Sequence, residues 1–559
     1  MRGGYLQRHG DGGVAQLVRA LACHARGRGF ESRHSRHPNP KNNLINKPLS
    51  PKLQQHKENL LNADFFSSYA DRVKPKFGAL RKPALMRRYF KEAEEGVMGA
   101  STVAGLLAEF NAGTRKVTDY AEEIIESAKN NADLGAVISL DEESLKSGAH
   151  IADQNIKDGK AGQLEGLPLI IKDNIDTSML ITTGGTGAFK DTAKENAPPL
   201  ERLLSKGAIV GAKANLHELA YGITSNNSCH GAVRNPCNKT KIAGGSSGGT
   251  AAAIAAGMFV AGLGTDTGGS VRIPAALCGI MGFRPSTGRY PSGGVVPLSS
   301  TRDTIGPMGK SVDDLALLDG VMADDAAPLA GLDASDIRIG VPRSVLWAGL
   351  EKGVEACCEN VITKLANAGV TIVEADSEDI WEDDAAASLP IVLFESMKEL
   401  AQYAEKRGVA FSEMINEVAS PDVKAILESQ LGQEAVPEAV YRAAMDTHRP
   451  NMQRKWQAYF EAHNLSAALF PTTALTAPPV GHDETVSLNG EDVPTFDIFL
   501  KNTDHGSVIG APGISMPAGL TGNMPVGFEL DGLPGRDKAL LAVARKIEEI
   551  IRPMDLLAR

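Results

Sequence analysis

A chain of 559 residues, 42% hydrophobic, 23% charged and 5% aromatic, has room for one large α/β domain or two to four smaller ones. Its longest nearly apolar run, residues 251–264, is too short to span a bilayer. Six cysteines show neither CxxC spacing nor a dense framework, which disfavours a disulfide scaffold or structural zinc and fits a reducing cytoplasm.

The net charge of −10 is unevenly spread. Residues 1–98 carry 19 Lys and Arg against 8 Asp and Glu, so the rest of the chain is strongly acidic and offers no polyanion-binding surface. Residues 1–60 show little apolar periodicity and are expected to be disordered and dispensable. Their Arg- and His-rich stretch GVAQLVRALACHARGRGFESRHSRHPNP admits three readings. One is a targeting segment and another a nucleic-acid-binding arm. The favoured reading is a structural-RNA gene translated by mistake, with the true start near Met86 or Met98.

From about residue 100 the pattern becomes α/β. Helical periodicity runs through ASTVAGLLAEFNAG, YAEEIIESAKN and ESLKSGAHIADQNIKDG, the last ending on a Gly stop. LPLIIKDN is a short apolar run of the kind that forms a buried strand. Helix APPLERLLSKG then leads into strand AIVGAKAN, and the unit repeats as VEACCENVITKLANAG and VTIVEAD. SAALFPTT and MPVGFEL read as strands, and RDKALLAVARKIEEII as an amphipathic closing helix. No fixed-period repeat is visible. Alternating helices and buried strands predict a largely covered mixed sheet.

The chemistry concentrates between Lys241 and Pro274, where two Gly/Ser clusters flank an Ala-rich helical stretch. Gly244 and Gly249 have Walker-loop spacing, but Thr250 follows directly and no Lys intervenes, so nucleotide binding is disfavoured. A GxGxxG fingerprint is missing, and His217-Glu218 lacks the second His of HExxH. Gly244–Gly248 matches the GxSxG elbow of α/β-hydrolases, which needs a downstream acid and a His. His448, His463, His482 and His505 are the candidates, none in a suggestive context. Serine is a weak nucleophile without a base. A buried lysine made neutral by desolvation is the other base available, and Lys172 closes the apolar run LPLII. Adjacent Asp173 would hold the proton on Lys172 if the two paired.

GLPLIIKDNID, GAIVGAKANLHELAYGITSNN, GGSSGGTAAAIAAG, GLGTDTGGSVRIPAALCGIMGFRPSTGR and GAPGISMPAGLTGNMPVGFEL resemble the amidase signature family over residues 100–559. The resemblance implies a single catalytic domain over residues 99–559, a large mixed β-sheet sandwiched by helices, preceded by a basic extension over 1–98. It implies a Ser–cis-Ser–Lys triad: Lys172, Ser246 with a cis peptide to Gly245, and Ser270 as nucleophile. Backbone N–H groups of Thr267, Gly268, Gly269 and Ser270 would form the oxyanion hole, with Ser247, Asp266 and Arg272 as supports. Within the family, ITTGGT, HELAYGITSNN, SVRIPAALCG and STRDTIGPM look most like hydrolases of small arylalkyl amides. The alternative is the A subunit of a glutamyl-tRNA amidotransferase, which carries Gln where this chain has Ile273; an apolar side chain there suits an apolar substrate group. A non-catalytic protein keeping the fold would have lost a triad residue, and all three are present. No metal, nucleotide or organic cofactor is implied. The expected partner is a small-molecule amide, without nucleic acid or membrane. A homodimer and the substrate-binding residues are left open.

Overall fold

The computed structural model describes residues 102–377 and 379–551. The basic extension 1–98, with the expectations attached to it, lies outside them. An eleven-stranded mixed sheet runs through the described residues, flanked by helices. Its strands in chain order are β1 (Val137–Ser139), β2 (Pro168–Lys172), β3 (Ile209–Ala214), β4 (Gly262–Asp266), β5 (Met281–Arg284) and β6 (Thr304–Gly309). Then follow β7 (Arg338–Val341), β8 (Thr371–Glu374), β9 (Ala467–Pro471), β10 (Gly513–Thr521) and β11 (Met524–Asp531). Across the sheet they lie in the order β1-β3-β2-β4-β6-β5-β10-β11-β9-β7-β8.

Strands β3, β2 and β4 are parallel neighbours. Their carboxyl ends therefore open on one edge of the sheet, where open α/β sheets place their ligands. Strands β6, β5, β10, β11 and β9 continue antiparallel, and β9, β7 and β8 are parallel again. Strands β2 and β4 are buried at every position, and β2 accordingly runs apolar up to Lys172 rather than alternating.

The predicted helices form with their expected punctuation. Helix α1 (Val103–Ala112) starts on Thr102, whose side chain accepts from the Gly105 N–H, and stops at Gly113 in the left-handed region. Helices α2 (Val117–Asn130) and α3 (Glu142–Lys157) follow, the latter capped by Asp141. The closing helix α4 (Asp537–Ile551) buries Leu540, Leu541, Ala544 and Ile547 on one face. Two large buried apolar clusters result, one from residues before 323 and one mostly from the C-terminal half. A third, smaller cluster packs Leu219 and Tyr221 against Leu400, Tyr403 and Met414.

Regular structure also arises where the sequence reading was silent. The 26-residue helix Trp381–Lys406 contains Pro390, and β1, β4, β5, β6, β7 and β10 were not singled out. Among the described residues no helix is long and apolar enough to cross a membrane.

Candidate active site

Lys172 sits at the end of β2 and Asp266 at the end of the adjacent parallel β4, so two ionisable side chains reach the same sheet edge. Lys172 is fully buried, and its Nζ donates to Ser246 Oγ at 2.7 Å and to Thr265 Oγ1 at 2.8 Å. Desolvation pulls its pKa down from 10.5 to about 7, against the opposing pull of Asp266 and Asp303. Asp173 does not hold that proton. Successive strand residues face opposite sides of a sheet, and Asp173 points away to Lys213 Nζ at 3.4 Å and the Thr183 N–H at 3.0 Å.

The first Gly/Ser cluster wraps over this lysine. The Gly245–Ser246 peptide is cis, and Ser246 and Ser247 are fully buried. Ser247 Oγ meets the carbonyl and N–H of Thr265 at 3.2 and 3.3 Å, pinning the cluster to β4. The Ser247 N–H in turn donates to the Ser270 carbonyl at 3.1 Å, tying the two Gly/Ser clusters together. The intervening sequence forms the helix Gly248–Ala255, which packs against β2, β3 and β4.

In the second cluster, the carbonyls of Thr267 and Gly268 are held from outside. Arg302 Nε donates to the first at 3.0 Å and Thr503 Oγ1 to the second at 2.6 Å. Because a trans peptide points its N–H opposite its carbonyl, the Gly268 and Gly269 N–H groups are turned the other way. No hydrogen bond among the described residues engages them or the Ser270 side chain. Gly269 has φ +140°, and a Cβ there would lie 2.2 Å from Thr503 Oγ1, so both space and backbone demand glycine. Ser270 is 7% exposed.

Asp266 braces this loop. Its carboxylate accepts from the Val271 N–H at 3.1 Å and from both Arg272 and Arg284 at 3.0 Å. Desolvation alone would raise its pKa, but the two guanidiniums bring it well below the ordinary range. Arg272 also reaches Glu529 Oε1 at 2.5 Å and Ser507 Oγ at 2.7 Å. Desolvation raises the pKa of Glu529 and, to about 6, that of Asp531 beside it.

The four histidines weighed for an elbow serine are elsewhere. His505 is buried among Trp381, Trp456 and Phe470, its pKa lowered to about 3 by desolvation and Arg272. His448 pairs with Asp383, His463 packs on Tyr459, and the His482 carbonyl accepts from Thr495. No histidine side chain bonds either serine among the described residues. Thus Lys172, Ser246, Ser247, Asp266, Thr267, Gly268, Gly269, Ser270 and Arg272 all gather at one sheet edge. Sequence reasoning did not single out Thr265, Arg284, Arg302, Asp303, Thr503 or Glu529. Arg302 and Asp303 lie in the noted stretch STRDTIGPM, but no spacing marked them as part of the site.

A hydroxyl–lysine pair at a buried sheet edge beside a turned-out row of N–H groups is an arrangement that suits amide hydrolysis. The family comparison agrees: the Amidase family model matches residues 119–541, and the chain belongs to that family, hydrolysing amides. The chain is 42% identical over 438 residues to indoleacetamide hydrolase of Agrobacterium vitis, covering 78% of this chain and 93% of that protein. It is 38% identical over 443 residues to mandelamide hydrolase of Pseudomonas putida, covering 75% and 85%. Among solved structures, a crystal structure of an amidase superposes with a TM-score of 0.73 at 31% identity, covering 81% of this chain and 100% of that one.

Proposed function

We propose that this amidase cleaves a small arylalkyl carboxamide to its carboxylate and ammonia through an acyl-enzyme on Ser270. Ser270 Oγ attacks the amide carbon while its proton passes to Ser246, whose own proton goes to neutral Lys172. The carbonyl oxygen, now an oxyanion, is met by N–H groups from Thr267 to Ser270. Proton return through Ser246 lets ammonia leave, and water then repeats the sequence on the acyl group. Ser247, Asp266 and Arg272 hold the two loops in register.

The observation that carries this reading is the 2.7 Å contact between Ser246 Oγ and a fully buried Lys172. With its pKa pulled down to about 7, the lysine can lose its proton near neutrality and act as a base. The arylalkyl assignment is supported by the two relatives at about 40% identity, which are named for hydrolysing indoleacetamide and mandelamide. It is also supported by Ile273, fully buried against Gly269, which gives no hydrogen bond to a polar substrate. Those relatives are named as hydrolases rather than amidotransferase subunits, so the amidotransferase alternative is not favoured. The catalytic domain is assigned to residues 99–559, and the free cysteines of the described residues support a cytoplasmic location.

The test is ammonia release from mandelamide, indole-3-acetamide, phenylacetamide, glutamine and aliphatic amides. The arylalkyl amides are expected to give the highest kcat/KM. A clear preference for glutamine would contradict the assignment.

A further inference from the structure

The pairing of β6 with β4 sets Thr304 opposite Asp266, which brings Arg302 and Asp303 beside the Ser270 loop. The two side chains grip Thr267 from both ends. Arg302 Nε donates to its carbonyl at 3.0 Å, and Thr267 Oγ1 donates to Asp303 Oδ1 at 2.5 Å. Asp303 Oδ2 is fixed in turn by the Leu298 and Ser299 N–H groups at 2.8 and 2.9 Å. Every one of these partners can donate to a carboxylate.

Two carboxylates favour the charged form of Lys172, Asp266 and Asp303. They differ in what surrounds them. Asp266 is in contact with two guanidiniums, which cancel much of its charge at a distance. Asp303 touches only a hydroxyl and backbone N–H groups; burial raises its pKa, those hydrogen bonds and the more distant Arg284 oppose the rise, and Tyr221 and Glu399 feel its charge. Asp173, on the other side of β2, is occupied by Lys213.

We propose that Asp303 is a positioning residue of this site, holding Thr267 in place and stabilising, by a negative charge that no guanidinium contacts, the ammonium that forms on Lys172. This rests on the reading of Lys172 as the base. As the Ser270 Oγ–carbon bond forms, the Ser270 proton moves to Ser246 and the Ser246 proton to Lys172 Nζ, so a positive charge appears there. Asp303 favours that charge by Coulomb attraction through a poorly solvated site.

Asp303→Asn tests this, because the amide keeps the shape and can still bond Thr267 and the two N–H groups while losing the charge. The readout is the pH dependence of kcat/KM for the amide of the panel that turns over fastest, in protein whose fold is checked by circular dichroism. Without the negative charge Lys172 gives up its proton more readily. The acid limb should therefore move to lower pH by about half a pH unit or more. The plateau kcat should fall about tenfold, with KM changed much less. Folded Asp303→Asn with an unmoved limb would overturn the proposal, even if it were slower. Should that variant not fold, Thr267→Val removes one hydrogen bond to Asp303 and lets it protonate more easily. The limb should then shift the same way by less, and no shift would count against the proposal. A wild-type profile with no acid limb near neutrality would instead sink the reading of Lys172 itself.

Discussion

Lys172 is made useful by an environment that works against folding. Its pKa is near 7 in the folded protein and 10.5 when unperturbed, so between those values the unfolded chain binds more protons. The Lys172 contribution to stability therefore rises with pH over that window. Lys172→Met removes this linkage and the hydrogen bonds to Ser246 and Thr265 together. The lost bonds give a constant offset, but the stability difference between variant and wild type should shift toward wild type by about 2 kcal/mol from pH 7 to pH 9. Urea unfolding at the two values checks it, and a difference independent of pH would mean that the lysine stays charged in the fold. Activity of the variant should fall by about three orders of magnitude or more. Lys172, Ser246 and Ser270 were legible because each sits inside a contiguous motif. Their partners were not: Arg272 meets Glu529 across 257 positions and Gly268 meets Thr503 across 235, and no local periodicity encodes such pairings.

At the scale of elements, the site depends on how closely the helix Gly248–Ala255 approaches the end of β3. The Gly249 N–H donates to the Asn215 carbonyl at 3.0 Å, and a Cβ at 249 would lie 2.3 Å from that oxygen and 2.5 Å from the Ala136 carbonyl. Neither atom belongs to a flexible side chain that can swing away. Gly249→Ala should therefore destabilise the protein by about 3 kcal/mol and displace Ser246 and Ser247, lowering turnover. Gly331→Ala, with nothing within 4 Å, is the control expected to be nearly neutral. Equal unfolding midpoints for the two variants would show that the helix has room to retreat. The helices α1, α2, α3 and α4 were legible from period and caps. Strand β4 was not, because GLGTD carries two glycines and little of the β-branched content that marks a strand. It forms because β2 and β6 pair with it on both sides. Pro390 disfavours a helix interior, but the helix Trp381–Lys406 forms around it, stabilised through tertiary packing of its buried Ala387, Ile391, Leu400 and Ala404.

Across the whole molecule, two hydrolase architectures compete for the same GxSxG string. The strand order here joins parallel and antiparallel segments in one sheet and presents both Gly/Ser clusters at a single edge. Alternation of helices and strands predicted a mixed covered sheet, but not which strands would be neighbours, since that depends on pairing between segments far apart in sequence. In the proposed reaction Ser270 carries the acyl group while Ser246 relays protons, a division of roles that a covalent label can separate. The decisive measurement is to react the enzyme with a fluorophosphonate, digest it, and locate the adduct by mass spectrometry. Labelling of the Ser270 peptide is expected, abolished in Ser270→Ala and slowed but still at Ser270 in Ser246→Ala. An adduct on Ser246, or loss of labelling on replacing any one of His448, His463, His482 or His505, would contradict it.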